Sequence, residues 1–292
     1  MRFPLGLIVM LALLFQQAQA EIKIQDISRS YQPGEIVLFL IFPEEPSESG
    51  VIRAFDRTFN LYPGEVQGSL EGLVGIDLDV EPGSYPVEFV VKYPQDEKVY
   101  TRTVEVQAKE FPVRRLTVDQ KFVTPPSEVL DRIRRESQIV RRVLSQRSPR
   151  RLWQGGFVRP VPGVATSSFG KRSILNGQPR SPHTGTDFRA GEGTPIKAPN
   201  QGKVVLAADL YYSGNVVILD HGHGLFSYFA HLSKITVAEG DQVEKGQQVG
   251  LVGATGRVTG PHLHWTMRLA ESRVDPLSLM EVLEMRTNQA IP

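Results

Sequence analysis

Gly260-Pro261-His262-Leu263-His264-Trp265-Thr266-Met267 is the stretch on which the reading of the C-terminal half turns. A glycine and a proline make a turn, and a strand is expected from His262 to Met267. Alternate side chains of a strand share a face, so His262 and His264 point one way and Leu263 points into a core. One imidazole of such a pair can bind a metal while the other stands beside a substrate. All six histidines of the chain fall between His183 and His264.

Two other pieces of that stretch offer partners. His183-Thr184-Gly185-Thr186-Asp187 is an H-x-x-x-D element; its glycine and threonines disfavour a helix and suit a loop entering a strand. His231 lies between Ala230 and Leu232, at the end of an aromatic strand from which it can reach the same cleft. An H-x-x-x-D element with an H-x-H element supplies three metal ligands. Imidazole and carboxylate suit zinc, and a three-ligand site leaves a position for water, which points to a hydrolase. His221 and His223, in Asp220-His221-Gly222-His223-Gly224, are expected as turn residues outside the site.

The region from residue 156 to 292 is rich in strand signals and glycine. Strands are expected over Gly202–Leu206, Asn215–Leu219, Phe226–Phe229 and Gln248–Val252, with helical periodicity only from Leu277 to Met285. This predicts a compact all-β domain. Residues 21–110 carry short strand signals at Ile22–Ile24, Ile36–Ile41, Val51–Phe55, Phe59–Tyr62, Leu73–Leu78, Tyr85–Val91 and Val99–Val106. About seven strands at that spacing predict an immunoglobulin-like β-sandwich without reactive residues, a spacer, targeting or regulatory module.

Residues 111–155 read as a basic helical connector, with a helix starting at Thr124-Pro125-Pro126-Ser127-Glu128 and ending at Ser148-Pro149. Its apolar stripe is Val129, Leu130, Ile133, Val140, Val143 and Leu144, and Arg134, Arg135, Arg141 and Arg142 lie opposite. Residues 21–110 carry a net charge of −9 and residues 111–160 one of +8. The arginines are expected as a solvated face rather than a site for an anionic polymer, and nucleic acid is not an expected partner.

Residues 1–20 have a positive start at Arg2, an apolar run from Leu5 to Phe15 and the small-x-small triplet Ala18-Gln19-Ala20. They read as a signal peptide in preference to a membrane anchor, so the mature chain is expected to be exported, with the periplasm as destination. No cysteine is present, which excludes disulfides, thiolate metal sites and a lipoprotein anchor.

The segment from Thr166 to Pro276 resembles the lysostaphin-type zinc metallopeptidases, the β-lytic and glycyl-glycine endopeptidase family acting on peptidoglycan. The resemblance rests on Ser168-Phe169-Gly170-Lys171-Arg172, His183-Thr184-Gly185-Thr186-Asp187-Phe188 and Gly193-Thr194-Pro195-Ile196. It continues in Tyr228-Phe229-Ala230-His231-Leu232, Gly253-Ala254-Thr255-Gly256 and Gly260-Pro261-His262-Leu263-His264. It implies a domain of the duplicated hybrid motif type. It implies His183, Asp187 and His264 as ligands of Zn2+, and His231 and His262 as the catalytic pair contacting water and oxyanion. Phe229 stands where relatives often carry a tyrosine. Arg172 either meets a substrate carboxylate or braces the loop from Ser167 to Ser173.

The expected activity is hydrolysis of peptide cross-links, with peptidoglycan peptide stems as partner and residues 21–110 as a candidate docking surface for an envelope protein. The alternative is a catalytically silent activator of a separate cell-wall amidase, which the intact set of five residues argues against. A carrier role is the third reading. Val237 to Gln247 resembles the strand-turn pattern of biotinyl and lipoyl domains, but the carrier lysine dipeptide is missing.

Overall fold

Residues 23–106 form seven antiparallel strands: β1 Lys23–Ser28, β2 Ile36–Phe42, β3 Ser49–Ala54, β4 Arg57–Pro63, β5 Leu70–Gly75, β6 Gly83–Lys92 and β7 Glu97–Val106. The structure is a computed structural model and describes residues 22–117 and 124–288; the expected signal peptide, 1–20, lies outside these. The strand order is β1-β2-β5-β4-β3-β6-β7. Strand β4 links the two halves: Arg57 to Leu61 pair with β3, whereas Tyr62 and Pro63 pair with β5. Phe39 of β2 meets Phe89 of β6 edge to face at 5.0 Å, so the halves share one interior. The fifth strand runs over Leu70–Gly75 and not over Leu73–Leu78. Gly72 reads as punctuation but sits inside the strand, where a Cβ would lie 2.7 Å from Ile52 Cδ1.

The connector opens with β8, Val113–Leu116, and contains helix α1, Leu130–Leu144, preceded by a short 3-10 turn at Ser127–Val129. The helix starts later than expected. Residues that precede a proline are pushed to extended backbone, and Pro126 itself has ψ 149°. Val143 is buried, with Val140 and Leu144 beside it, against Leu206, Leu210, Ile218 and Phe226. Arg134, Arg135, Arg141 and Arg142 are exposed.

The remaining strands are β9 Ala165–Ser167, β10 Arg172–Leu175, β11 Gln178–Pro179, β12 Thr186–Phe188, β13 Pro195–Lys197, β14 Gly202–Leu210 and β15 Gly214–Gly222. They continue with β16 Leu225–Ile235, β17 Gln242–Val243, β18 Gln248–Val252, β19 Leu263–Leu269 and β20 Ser272–Val274, and helix α2, Pro276–Asn288, closes the described chain. The main sheet runs β17-β14-β15-β16-β19-β12-β9. Strand β8 adds in parallel to β10, placing Val113 opposite Arg172. Among the described residues, α1 and α2 are the only α-helices of a mostly β fold.

A single apolar cluster extends from Ile27 to Leu283 and joins the N-terminal strands to the main sheet. Polar ties reinforce it. Arg29 pairs with Asp275 at 2.8 Å, Arg286 with Glu71 at 2.7 Å, and Arg273 with Asp77. The N-terminal strands are thus seated on β20 and α2 over a shared core.

His221 is not a turn residue: it lies within β15, wholly buried. Its Nδ1–H donates to Gln201 O at 2.6 Å, and the Ser227 hydroxyl lies 2.8 Å from Nε2. His223 does occupy the turn, with φ 51°, and stacks on Tyr62 at 5.3 Å. Burial pushes the His221 pKa down to about 4. The unfolded chain therefore takes up this proton first, and stability falls as pH drops from the ordinary histidine value through about 4. The expected loss is up to about 3 kcal/mol. His221→Asn, whose amide can still donate to Gln201 O, should flatten that slope in urea unfolding at pH 7, 5.5 and 4.5. An unchanged slope would show that another group carries it.

Candidate metal centre

Strand β19 alternates as its sequence requires. Leu263, Trp265, Met267 and Leu269 are each no more than 2% exposed, in the core. His264, Thr266 and Arg268 take the opposite face. Strand β12 lies beside β19 with Asp187 directly opposite His264. His183 reaches them from the loop before β12, and Gly185 makes this close approach feasible. A Cβ at Gly185 would lie 2.5 Å from Trp265 O and 2.8 Å from His264 Cε1.

Three donor atoms converge there. His183 Nε2 lies 3.0 Å from Asp187 Oδ1 and 3.0 Å from His264 Nδ1, and His264 Nδ1 lies 2.8 Å from Asp187 Oδ1. The outer nitrogen of each imidazole is already engaged: His183 Nδ1–H donates to Ser168 O at 3.0 Å, and His264 Nε2 meets Thr266 Oγ1 at 2.9 Å. Two lone-pair nitrogens thus face each other beside a carboxylate, an arrangement that a cation relieves. A tetrahedral ion with bonds of about 2.05 Å separates its ligands by about 3.3 Å, only slightly more than these distances. The three residues therefore fit a divalent ion that accepts nitrogen and oxygen.

Electrostatics agree with this geometry. Burial alone would raise the Asp187 carboxyl, but the contacts with the His183 and His264 imidazoles hold it well below the usual carboxylate range. Burial opposes protonation of His183, yet its contact with Asp187 raises it overall. Burial lowers His264, against the pull of Asp187.

His231 and His262 complete the cleft. Their rings lie 5.0 Å apart, and the His231 ring lies 5.9 Å from that of His264. His262 precedes β19 and is held by an isolated bridge to Gly253. Its Nδ1–H donates to Gly260 O at 2.9 Å, which leaves Nε2 facing the cleft 3.9 Å from Asp187 Oδ1. His231 Nδ1–H donates to Thr255 O at 2.9 Å, likewise leaving Nε2 free. Burial pushes the His231 pKa down to about 4, so the ring is uncharged at neutral pH.

His231 has a left-handed backbone, φ 66°. It marks the point where β16 leaves β19, last paired at Ala230–His264, and turns to β18, first paired at Leu232–Val252. The bend swings the imidazole out of the strand row into the cleft, at a backbone cost of about 1–2 kcal/mol. His221 and His223 lie outside this cluster. Arg172 is exposed on β10, and among the described residues its side chain makes no hydrogen bond that braces the loop. Thr266 belongs to no recognisable motif; its place two residues after His264, on the same strand face, is the signal the sequence offers for it.

Comparison with known proteins supports the same reading. The family model described as peptidase family M23 matches residues 181–276. The peptidoglycan DD-endopeptidase ShyA of Vibrio cholerae is 47% identical over 87 residues, 30% of this chain and 20% of that protein. The DD-carboxypeptidase/endopeptidase Mpg of Neisseria meningitidis is 41% identical over 128 residues, 43% of this chain and 30% of that protein. The chain thus spans less than a third of the length of these curated relatives. A crystal structure of a peptidase M23 from Pseudomonas aeruginosa superposes with a TM-score of 0.69 at 32% identity, covering 86% of this chain and 95% of that one. That likeness covers most of the chain, and with it the chain belongs to peptidase family M23, a family of metallopeptidases.

Proposed function

We propose that this protein is an exported zinc-dependent endopeptidase that hydrolyses peptide cross-links of peptidoglycan. The observation that carries the reading is the convergence of His183 Nε2, Asp187 Oδ1 and His264 Nδ1, with His231 and His262 presenting free Nε2 atoms to the same cleft. His183, Asp187 and His264 hold the ion. A bound zinc supplies Lewis acidity, lowering the pKa of water from about 16 to about 7 and polarising the scissile carbonyl. The protein's own part is positional. His231 enters uncharged, so its Nε2 accepts a hydrogen bond from the attacking water, while His262 stands where oxygen charge develops. The backbone carbonyls of Thr255 and Gly260 fix both tautomers.

Names of the relatives support a peptidoglycan substrate, and the apolar start of the chain supports export to the periplasm. We also read 21–110 as an immunoglobulin-like sandwich, 111–155 as a connector and 156–292 as the peptidase domain. The Phe39–Phe89 contact between the strand groups supports the first assignment. Exposed Arg172 remains available to a substrate carboxylate.

The deciding experiment is chelation. Digestion of purified peptidoglycan should stop when the metal is removed and return with stoichiometric zinc, and undiminished digestion by the metal-free protein would overturn the reading. Thr266 offers a finer test. It is 4% exposed and holds the outer nitrogen of His264. Thr266→Val should keep the fold but weaken zinc binding by about 10–100-fold, measured by competition with a chromogenic chelator.

A further inference from the structure

A second site lies on the same face of β19. Arg268 follows His264 by four residues, so its side chain rises about 13 Å along the strand from the metal ligands. Among the described residues its guanidinium has no hydrogen-bond or ion-pair partner, and its buried Nε meets no acceptor. Burial, helped by the charge of Arg273, pushes its pKa down to about 10. An enclosed cation without a counter-ion is costly, and side chains of this kind are found where an anion is to be met.

Arg268 opens into a cavity of about 400 Å³ between α1 and the sheet. Ile133, Val140 and Leu144 of α1 and Leu210 of β14 form an apolar wall, and Ser213 and Tyr228 contribute hydroxyls. Two carboxylates at the edge are already engaged. Glu136 accepts the Tyr211 N–H at 2.8 Å and pairs with Arg132, and Glu271 pairs with Arg147 at 3.0 Å. Two cations that line the cavity have no carboxylate partner among the described residues, Arg268 within it and exposed Arg141 at its mouth.

We propose that this cavity binds a small organic carboxylate with a short aliphatic body, its carboxylate on Arg268 and its body against the wall formed by α1. A planar guanidinium matches a carboxylate in two-point fashion. The apolar wall formed by α1 and Leu210 suits an aliphatic body, which inorganic phosphate lacks. The volume lies at the small-ligand end of binding cavities, too small for a polymer strand. An occupant would also touch the turn that fixes His231, because the carbonyl of Ser213 accepts the His231 N–H at 2.9 Å.

The test is calorimetric titration of the full chain with hexanoate, hexanol and inorganic phosphate, with and without a metal chelator. Hexanoate should bind saturably in both conditions, and hexanol about tenfold or more weakly. Arg268→Met should weaken hexanoate binding by about tenfold or more. Ser137→Trp, which fills the mouth from an exposed position on α1, should do the same and decides the matter if Arg268→Met fails to fold. Binding that both folded variants retain, or that vanishes on chelation, or that is absent for hexanoate, would overturn the proposal. Phosphate binding as tightly as hexanoate would overturn the choice of a carboxylate.

Discussion

His264→Ala is expected to lose zinc and to reduce digestion of purified peptidoglycan by about 10⁴-fold or more, since in the proposed mechanism the supply of hydroxide at neutral pH depends on the metal. The substitution removes Nδ1, which lies 3.0 Å from His183 Nε2 and 2.8 Å from Asp187 Oδ1. Two donors would remain, too few to hold the ion against water. The fold should survive. Leu263 and Trp265, on the other face of β19, carry the core contacts and are wholly buried, whereas the His264 side chain is 16% exposed. Metal content by mass spectrometry, read beside the circular dichroism melt, separates loss of the ion from loss of structure. A folded variant with full zinc and full activity would remove His264 from the centre.

The convergence of the candidate residues was legible in the sequence because strands write their faces in alternation. His262-Leu263-His264 announced two imidazoles on one side of a strand edge, and Leu263 was expected in the core, where it is found. His262 proved to stand just before the strand, held by the bridge to Gly253, yet it still faces the cleft. His231 was harder to read. Nothing local shows that the chain turns left-handed there, because the bend arises from β16 exchanging β19 for β18, a relation between strands far apart in sequence. His221 was misread for a similar reason. The flanking glycine and aspartate read as a turn, but pairing with β14 and β16 extends the strand to Gly222. The late start of α1 follows from consecutive prolines: Pro126 is held extended, and helical backbone begins only after it. The seating of the N-terminal strands on β20 and α2 was not legible at all. It rests on pairs such as Glu71 with Arg286, which are 215 residues apart.

His231→Ala is expected to behave differently from His264→Ala, and the difference tests the division of roles. It is not among the three converging donor atoms, and its ring centroid lies 5.9 Å from that of His264, so zinc content should remain that of the parent protein. What disappears is an uncharged Nε2 poised in the cleft by the Thr255 carbonyl. Removal of such a positioned proton acceptor costs about 10²–10⁴-fold in turnover, with KM changed little because the group acts in the transition state. The left-handed backbone at this position strains an alanine by about 1–2 kcal/mol, so a second variant guards against loss of folding. His231→Asn keeps a residue type that tolerates φ 66° and should melt close to the parent temperature while remaining as inactive as the alanine. If both variants keep zinc, fold and full turnover, then His231 takes no part in the reaction, and proton transfer has to be assigned to His262, the other imidazole that presents a free Nε2 to the cleft.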